Sequence, residues 1–313
     1  MSILNKVPFS TRWAFNFKTW QPTEYEWCSA IMELNEEERI RIGKFRYRDD
    51  AKASLVGRLM IRKWSKQLLY ACACPDIQPR LERTDKGRPQ LILSPVQIES
   101  TLDLNFDFNV AHAGELTVFA AEVNKTNKFS IGVDVMPITN NRHKNVEEFL
   151  RLMKRQFTTN EWAQIKKIPS DYDEGFIETL KTFYRFWCLK ESFVKAEGSG
   201  LAWNLQRLSF NCPTADLSAS KILIDTFLEV DGSLLCGWQF QEHLLSPKHC
   251  VAVAVNYSDL VPEVQNLLPF EFVNFLDLLS LEVTTNTEKH SEITEMRKKQ
   301  WDVFIAKEMN KPF

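Results

Sequence analysis

Glu191 and Lys195 stand four residues apart in Phe183–Leu201, FYRFWCLKESFVKAEGSGL. That spacing puts a carboxylate and an ammonium on one flank of a helix, where both can serve one ligand. The helix is predicted from Phe183, Phe186, Trp187, Phe193 and Val194, which recur at the three-and-four spacing of one apolar face; Gly198 and Gly200 stop it. Lys190 falls in the middle of that face, so its ammonium must be paired or reach the edge. Asp134 comes from a second element, Phe129–Met136 (FSIGVDVM), predicted as a strand. Alternation sends Phe129, Ile131, Val133 and Val135 one way and Gly132, Asp134 and Met136 the other, with the glycine leaving room beside the carboxylate. Asp134 and Glu191 can share one divalent cation. Magnesium suits the pair, since it takes one or two protein carboxylates and fills its other positions with water and substrate phosphates. Arg41, Lys44, Lys86, Arg88 and His112 are available as phosphate donors, so the set fits attack on a phosphoryl group. The plainer readings are a core helix whose lysines snorkel while Glu191 makes a surface ion pair, and a strand-end aspartate satisfied by nearby amides.

Several common chemistries are absent. No GxxxxGK[ST] loop, GxGxxG turn, HExxH or GxSxG occurs, which counts against the usual nucleotide, zinc and serine-hydrolase sites. A net charge of −2 gives no polyanion signal, so nucleic acid is not an expected partner. No apolar run reaches the roughly 18–20 residues that span a bilayer, and the first residues lack the pattern of a secretory signal. Seven scattered cysteines make no disulfide framework, and Cys72 and Cys74 lack a second pair at zinc spacing. A reducing, cytosolic compartment is expected.

The elements that must position these groups are legible in outline. With 44% apolar residues in 313, the chain can bury a real core. Residues 11–33 predict a strand and then a helix, and Asn35–Phe45 a capped helix. Asp49–Tyr70 predicts a long helix with Ala53, Val56, Leu59, Met60 and Trp64 inward. Hairpins are predicted at Arg80–Leu93, turning at Asp85–Gly87, and at Phe106–Val123, turning at Ala113–Glu115. Residues 146–168 predict two helices with basic side chains Arg151, Lys154, Arg155, Lys166 and Lys167, and strands follow near 205–210, 222–230, 234–240 and 250–256. A faint repeat (long helix, strands, then a strand preceded by His112 or His249) suggests two similar α+β lobes, 1–125 and 126–256, with a cleft between them. Residues 257–313 are expected to be a tail, a docked apolar helix followed by a frayed, charged end.

Four ordered motifs carry a resemblance. IGVD (Ile131–Asp134) and WCLKESFVK (Trp187–Lys195), about fifty residues apart, resemble the signature of the 4′-phosphopantetheinyl transferases; RTDKGRP (Arg83–Pro89) and FNVAH (Phe108–His112) resemble the Sfp type. The likeness covers roughly residues 10–255. It implies a pseudo-dimer of two α+β lobes with coenzyme A and magnesium in the cleft. It also implies transfer of the phosphopantetheine arm to a serine of an apo acyl or peptidyl carrier domain, such as those of fatty acid synthase or an aminoadipate reductase. Carried over by position, Asp134 and Glu191 bind magnesium, Glu191 takes the serine proton, and Lys195 holds the pyrophosphate. Arg41 and His112 contact coenzyme A phosphates. Arg83, Thr84, Asp85, Lys86, Gly87 and Arg88 line the adenine end, and Asn109, Val110, Ala111 and His112 complete that pocket.

Two positions depart from the family. Met136 stands where many relatives have a second acidic residue, so water is expected to fill that metal position. Ala111 replaces a common serine, and loss of one hydroxyl contact is expected to weaken coenzyme A binding by about 1 kcal/mol. These departures motivate the competing reading of a lapsed binder of coenzyme A or carrier, a monomer like the enzyme; a magnesium phosphohydrolase is a third. Carrier domains are usually acidic around the modified serine, so Arg151, Lys154 and Arg155 are the expected docking face.

Overall fold

The computed structural model describes residues 9–72, 79–93, 104–124, 128–139, 146–166, 173–257, 267–279 and 290–309. Alternation in β1 (Phe9–Asn16) sends Trp13 and Phe15 to one face and Arg12 and Ala14 to the other, and both faces are covered. β1 pairs with β5 (Leu116–Asn124), which folds back on β4 (Asn105–Ala113) to give the antiparallel order β1-β5-β4. The turn between them needs a positive φ, which Gly114 supplies at +63°. α3 (Arg48–Ala71) covers the outer face of this sheet, and its predicted inward residues Ala53, Val56, Leu59, Met60 and Trp64 are all buried.

The same order of elements recurs. β6 (Phe129–Pro137) precedes the long α6 (Asp173–Glu197) and the hairpin β10–β11 (Trp238–Ser246, His249–Tyr257); β6 pairs with the second arm of the hairpin, as β1 does in the first sheet. Each copy inserts a small sheet between helix and hairpin: β2–β3 (Arg80–Arg83, Pro89–Ile92) in the first, β7–β8–β9 (Leu208–Asn211, Phe227–Val230, Ser233–Leu234) in the second. The inner faces meet in an apolar seam. Ala14, Val118 and Ala120 pack with Ile131, Val133, Val135, Val251 and Val253. Four layers result, helix on sheet on sheet on helix, in an α+β fold.

β4 and β6 are both edge strands, and the open backbone edge of β6 is met by side chains rather than by another strand's backbone. Asp107 Oδ2 accepts from Ile131 N at 2.8 Å and Asn109 Oδ1 from Val133 N at 3.1 Å. Arg88 donates to Ile131 O at 2.9 Å and Lys195 Nζ to Val133 O at 3.2 Å. The catalytic candidates therefore sit where the two halves meet.

Lys190 is wholly buried and paired, as its position required. Its Nζ lies 2.9 Å from Glu161 and donates to Leu208 O at 2.6 Å and Leu205 O at 2.7 Å. Glu161 belongs to α5 (Thr159–Ile165), where it also closes the capping box with Thr158. The pair thus ties α5, α6 and the chain entering β7 together. α4 (Val146–Met153) precedes it, and Lys167 lies outside the described residues. Cys72 is buried, and Cys74 also lies outside them.

Three predicted elements need correction. Leu205–Arg207 is a 3-10 turn and β7 starts at Leu208; β8 begins only at Phe227; and residues 234–240 are broken by Gly237, whose φ is +82°. In the tail, residues 267–279 and 290–309 are described. Its apolar part gives β12 (Glu271–Phe272), parallel to β1, and the short α7 (Phe275–Leu278). Its charged end forms α8 (His290–Ile305), docked on the first half through Phe304 stacked on Trp27 at 3.9 Å.

Candidate functional site

Gly132 sets the distance between β6 and α6. A Cβ at this position would stand 2.1 Å from Ser192 O and 2.4 Å from Ala196 N, so only glycine lets the helix lie this close. The close approach brings Lys195 Nζ to 2.6 Å from Asp134 Oδ1. Asp134 is 7% exposed, and its Oδ2 is buried with no hydrogen-bond partner. Burial pushes its carboxyl above the ordinary range, against the pull of Lys195. Glu191, half-buried one turn before Lys195, is raised too, first by burial and then by the Asp134 charge. Two carboxylates both raised by burial, one with an orphaned oxygen, form a donor set that a divalent cation fits. Among the described residues no cluster of three His, Cys, Asp or Glu side chains occurs. Met136, on the same strand face, is half-buried and packs into the α6 core.

A cleft of about 1090 Å³ opens beside this pair, large for a small-molecule site. Glu191, Val194 and Lys195 form one side. Opposite them α2 (Glu36–Gly43) and the residues after it present Ile40, Arg41, Lys44 and Phe45, while Ser54, Gly57 and Arg58 of α3 form the floor. Lys86, Gly87, Val110 and His112 complete the first-half end, and Gln156, Trp203 and Leu205 the other. Arg41 is held by an exposed ion pair with Glu37 at 3.1 Å, which an incoming phosphate can displace at little cost.

Other predicted residues are placed differently. Arg88 reaches the cleft but is engaged as a strut: it pairs with Asp107 at 2.7 Å and donates to Lys195 O at 3.0 Å. Asn109 lines the cleft, yet its Oδ1 is taken by the β6 backbone. Arg83 also lines it, held by Glu38 at 3.2 Å and by Gly87 O at 2.7 Å. Thr84 and Asp85 are turn residues outside the lining: Thr84 Oγ1 accepts from Arg88 N at 3.1 Å, and Asp85 is an exposed tip. Ala111 is 5% exposed in the apolar seam, on the strand face opposite His112. A hydroxyl there would face the seam, so the expected loss of a phosphate contact does not hold. Both departures thus fall on packing positions.

Arg58 is the main residue that sequence reasoning missed. It is ion-paired to Glu38, bonds Ser54, and has its pKa lowered to about 10 by burial and by Arg83. Its signal was present, one turn after Ser54 on a predicted helix, but nothing in the spacing set it apart from the other basic residues of that helix.

Comparison with known proteins places this geometry in a family. Residues 18–124 match the model of the 4′-phosphopantetheinyl transferase N-terminal domain, and residues 130–254 that of the 4′-phosphopantetheinyl transferase superfamily. The chain is 36% identical over 306 residues to the Homo sapiens L-aminoadipate-semialdehyde dehydrogenase-phosphopantetheinyl transferase, covering 95% of this chain and 91% of that one. The Xenopus laevis protein of the same name is 37% identical, covering 86% of each chain. A phosphopantetheinyl transferase of Thraustochytrium is 30% identical, covering 78% of each. Two family models in series, one on each of the halves that Arg88 joins through Ile131 O and Lys195 O, make this chain a member of the 4′-phosphopantetheinyl transferase superfamily.

Proposed function

We propose that the chain transfers the 4′-phosphopantetheine arm of coenzyme A to a serine of an apo carrier domain, leaving adenosine 3′,5′-bisphosphate. The single observation that carries the site assignment is the orphaned, buried Asp134 Oδ2, whose carboxylate pairs with Lys195 in the Glu191–Lys195 wall of a cation-lined cleft. The serine Oγ attacks the phosphorus bearing the pantetheine arm, and the bond from that phosphorus to the bridging oxygen breaks. The electron pair leaves with the adenosine bisphosphate, and the serine proton passes to Glu191, whose raised pKa suits a base. Magnesium held by Asp134 and Glu191 would supply charge neutralisation at the pyrophosphate. Lys195 has its ammonium on Asp134 and one flank toward the cleft, so it can follow the charge that develops on the leaving oxygen. Arg41, Lys44 and Lys86 hold the remaining phosphates. In this reading residues 1–125 carry the coenzyme A contacts, 126–256 the metal and the base, and 257–313 form the tail.

Calorimetric titration of coenzyme A with magnesium present tests the metal assignment. Asp134→Asn is expected to weaken binding by at least the roughly tenfold that changes around a metal ligand cost. Equal affinity in the variant would contradict it.

The relatives' name points to an aminoadipate-type reductase as one carrier; fatty acid synthase is proposed as a second on the family resemblance alone. The chain acts in this reading as a cytosolic monomer; no described helix is long and apolar enough to cross a membrane. Arg151, Lys154 and Arg155 are exposed on α4 and the turn after it, close to the Gln156 end of the cleft, and are the proposed docking face for an acidic carrier. Reversing the three charges is expected to raise the carrier KM and flatten its salt dependence, with the KM for coenzyme A unchanged. An unchanged carrier KM and salt slope would sink the docking face.

A further inference from the structure

α2 supplies Glu37, Ile40 and Arg41 to the cleft, and Lys44 and Phe45 follow it directly. It is a short element: eight residues with a single buried side chain, Ile42, tied to the cleft side through Glu38, which pairs with Arg58 and Arg83. Helices this short are marginal alone, and their last four carbonyls lack intrahelical partners. In this chain Lys44 N and Phe45 N meet Ile40 O, Arg41 O and Ile42 O, and the last carbonyl, Gly43 O, is met from the far end of the sequence. Lys307 is 9% exposed, and its Nζ donates to Gly43 O and Phe45 O, each at 2.6 Å. A cation at this place also opposes the negative end of the helix dipole.

The contact is reinforced along the chain. Glu308 forms a parallel bridge with Tyr47, through Arg48 N to Glu308 O at 2.9 Å and Glu308 N to Arg46 O at 3.1 Å. Arg48 returns its side chain to Lys307 O at 3.2 Å. Val303 packs over Gly43, 3.8 Å from where a Cβ would stand. Residues 303–308 thus grip 43–48 through backbone and side chain alike. Neither family match extends past residue 254, so this grip belongs to a segment the two catalytic halves do not include.

We propose that Lys307 and the segment around it are a positioning device for the coenzyme A wall, fixing α2 so that Arg41 and Lys44 are held ready for phosphate. The inference rests on reading the cleft as the coenzyme A site, and it deepens that reading: the tail sets coenzyme A affinity while touching no substrate. Removing a preorganising contact raises the cost of ordering the wall when ligand binds.

The test compares Lys307→Met, Lys307→Arg, Val303→Ala and Arg41→Ala, with Ile165→Val in the second half as a control for lost stability. In Lys307→Met the calorimetric Kd and the KM for coenzyme A are expected to rise roughly tenfold, while kcat and the carrier KM stay near wild type. Lys307→Arg, which can donate to both carbonyls, restores affinity. Val303→Ala, at a side chain 36% exposed and outside the buried core, gives a smaller shift in the same direction. Ile165→Val leaves the coenzyme A Kd unchanged. Normal coenzyme A affinity in Lys307→Met, with affinity lost in Arg41→Ala, would overturn the inference and leave the cleft reading standing. Normal affinity in both would remove the cleft reading and the inference together.

Discussion

Glu191→Gln is expected to lower carrier modification by roughly 10²–10⁴-fold and yet raise the melting temperature of the metal-free protein. The loss follows from removing the proposed base and one metal ligand. The gain follows from electrostatics: burial and the Asp134 charge both disfavour the ionised carboxyl, so its folded-state pKa lies above the unfolded one. A carboxyl raised in this way binds its proton more tightly in the folded chain, so ionising it costs stability as pH rises through that range. The stabilisation by glutamine should therefore be fully present at neutral pH and above. It should fade as pH falls toward about 4.3, the ordinary glutamate value, because Glu191 is then neutral in both states. With magnesium and coenzyme A added the order should reverse, since only the wild type gains the full linkage from ligand binding. Melts across pH, with and without magnesium, check both signs. A lower melting temperature for the metal-free variant would show Glu191 held by favourable contacts and would remove the strain argument.

Gly132→Ala has the other large effect, on stability first and activity as a consequence. The added Cβ would meet Ser192 O and Ala196 N, backbone atoms of a helix locked by Lys190 and Glu161, so no flexible side chain can yield. Either α6 moves off β6 or the strand bends, and overpacking of this kind costs about 3 kcal/mol. Displacing α6 also separates Lys195 from Asp134, and misplacement by about 1 Å costs on the order of 10²-fold in rate. Urea unfolding and kcat/KM of the same preparation measure the two together. Near-normal values for both would show that the helix-to-strand contact is not what aligns the site.

Why the catalytic elements were legible is clear from α6. Lys190, Glu191 and Lys195 are polar residues at fixed places on a strongly apolar helix, and Gly132 and Asp134 interrupt an apolar strand, so departures from pattern marked the site. β10 hid for the opposite reason. Gln241, Glu242 and His243 are buried, and Glu242 is tolerated inside only because Arg185 approaches it at 2.8 Å and Thr226 bonds it. No alternation survives such a run. The docking of the tail left little periodic trace, because α8 packs through Trp301 and Phe304 while Lys307 and Glu308, just past it, bind backbone groups of 43–48. The structural duties of Arg88 and Asn109 were likewise hidden, since their partners are backbone atoms of Ile131 and Val133.

The most direct test of the central claim is intact-mass analysis of an apo carrier domain incubated with the protein, coenzyme A and magnesium. A carrier mass gain of one phosphopantetheine arm is predicted, lost on adding chelator and lost with Glu191→Gln. Unmodified carrier from the wild type across several apo domains, with coenzyme A still bound, would contradict the transferase mechanism at Asp134, Glu191 and Lys195.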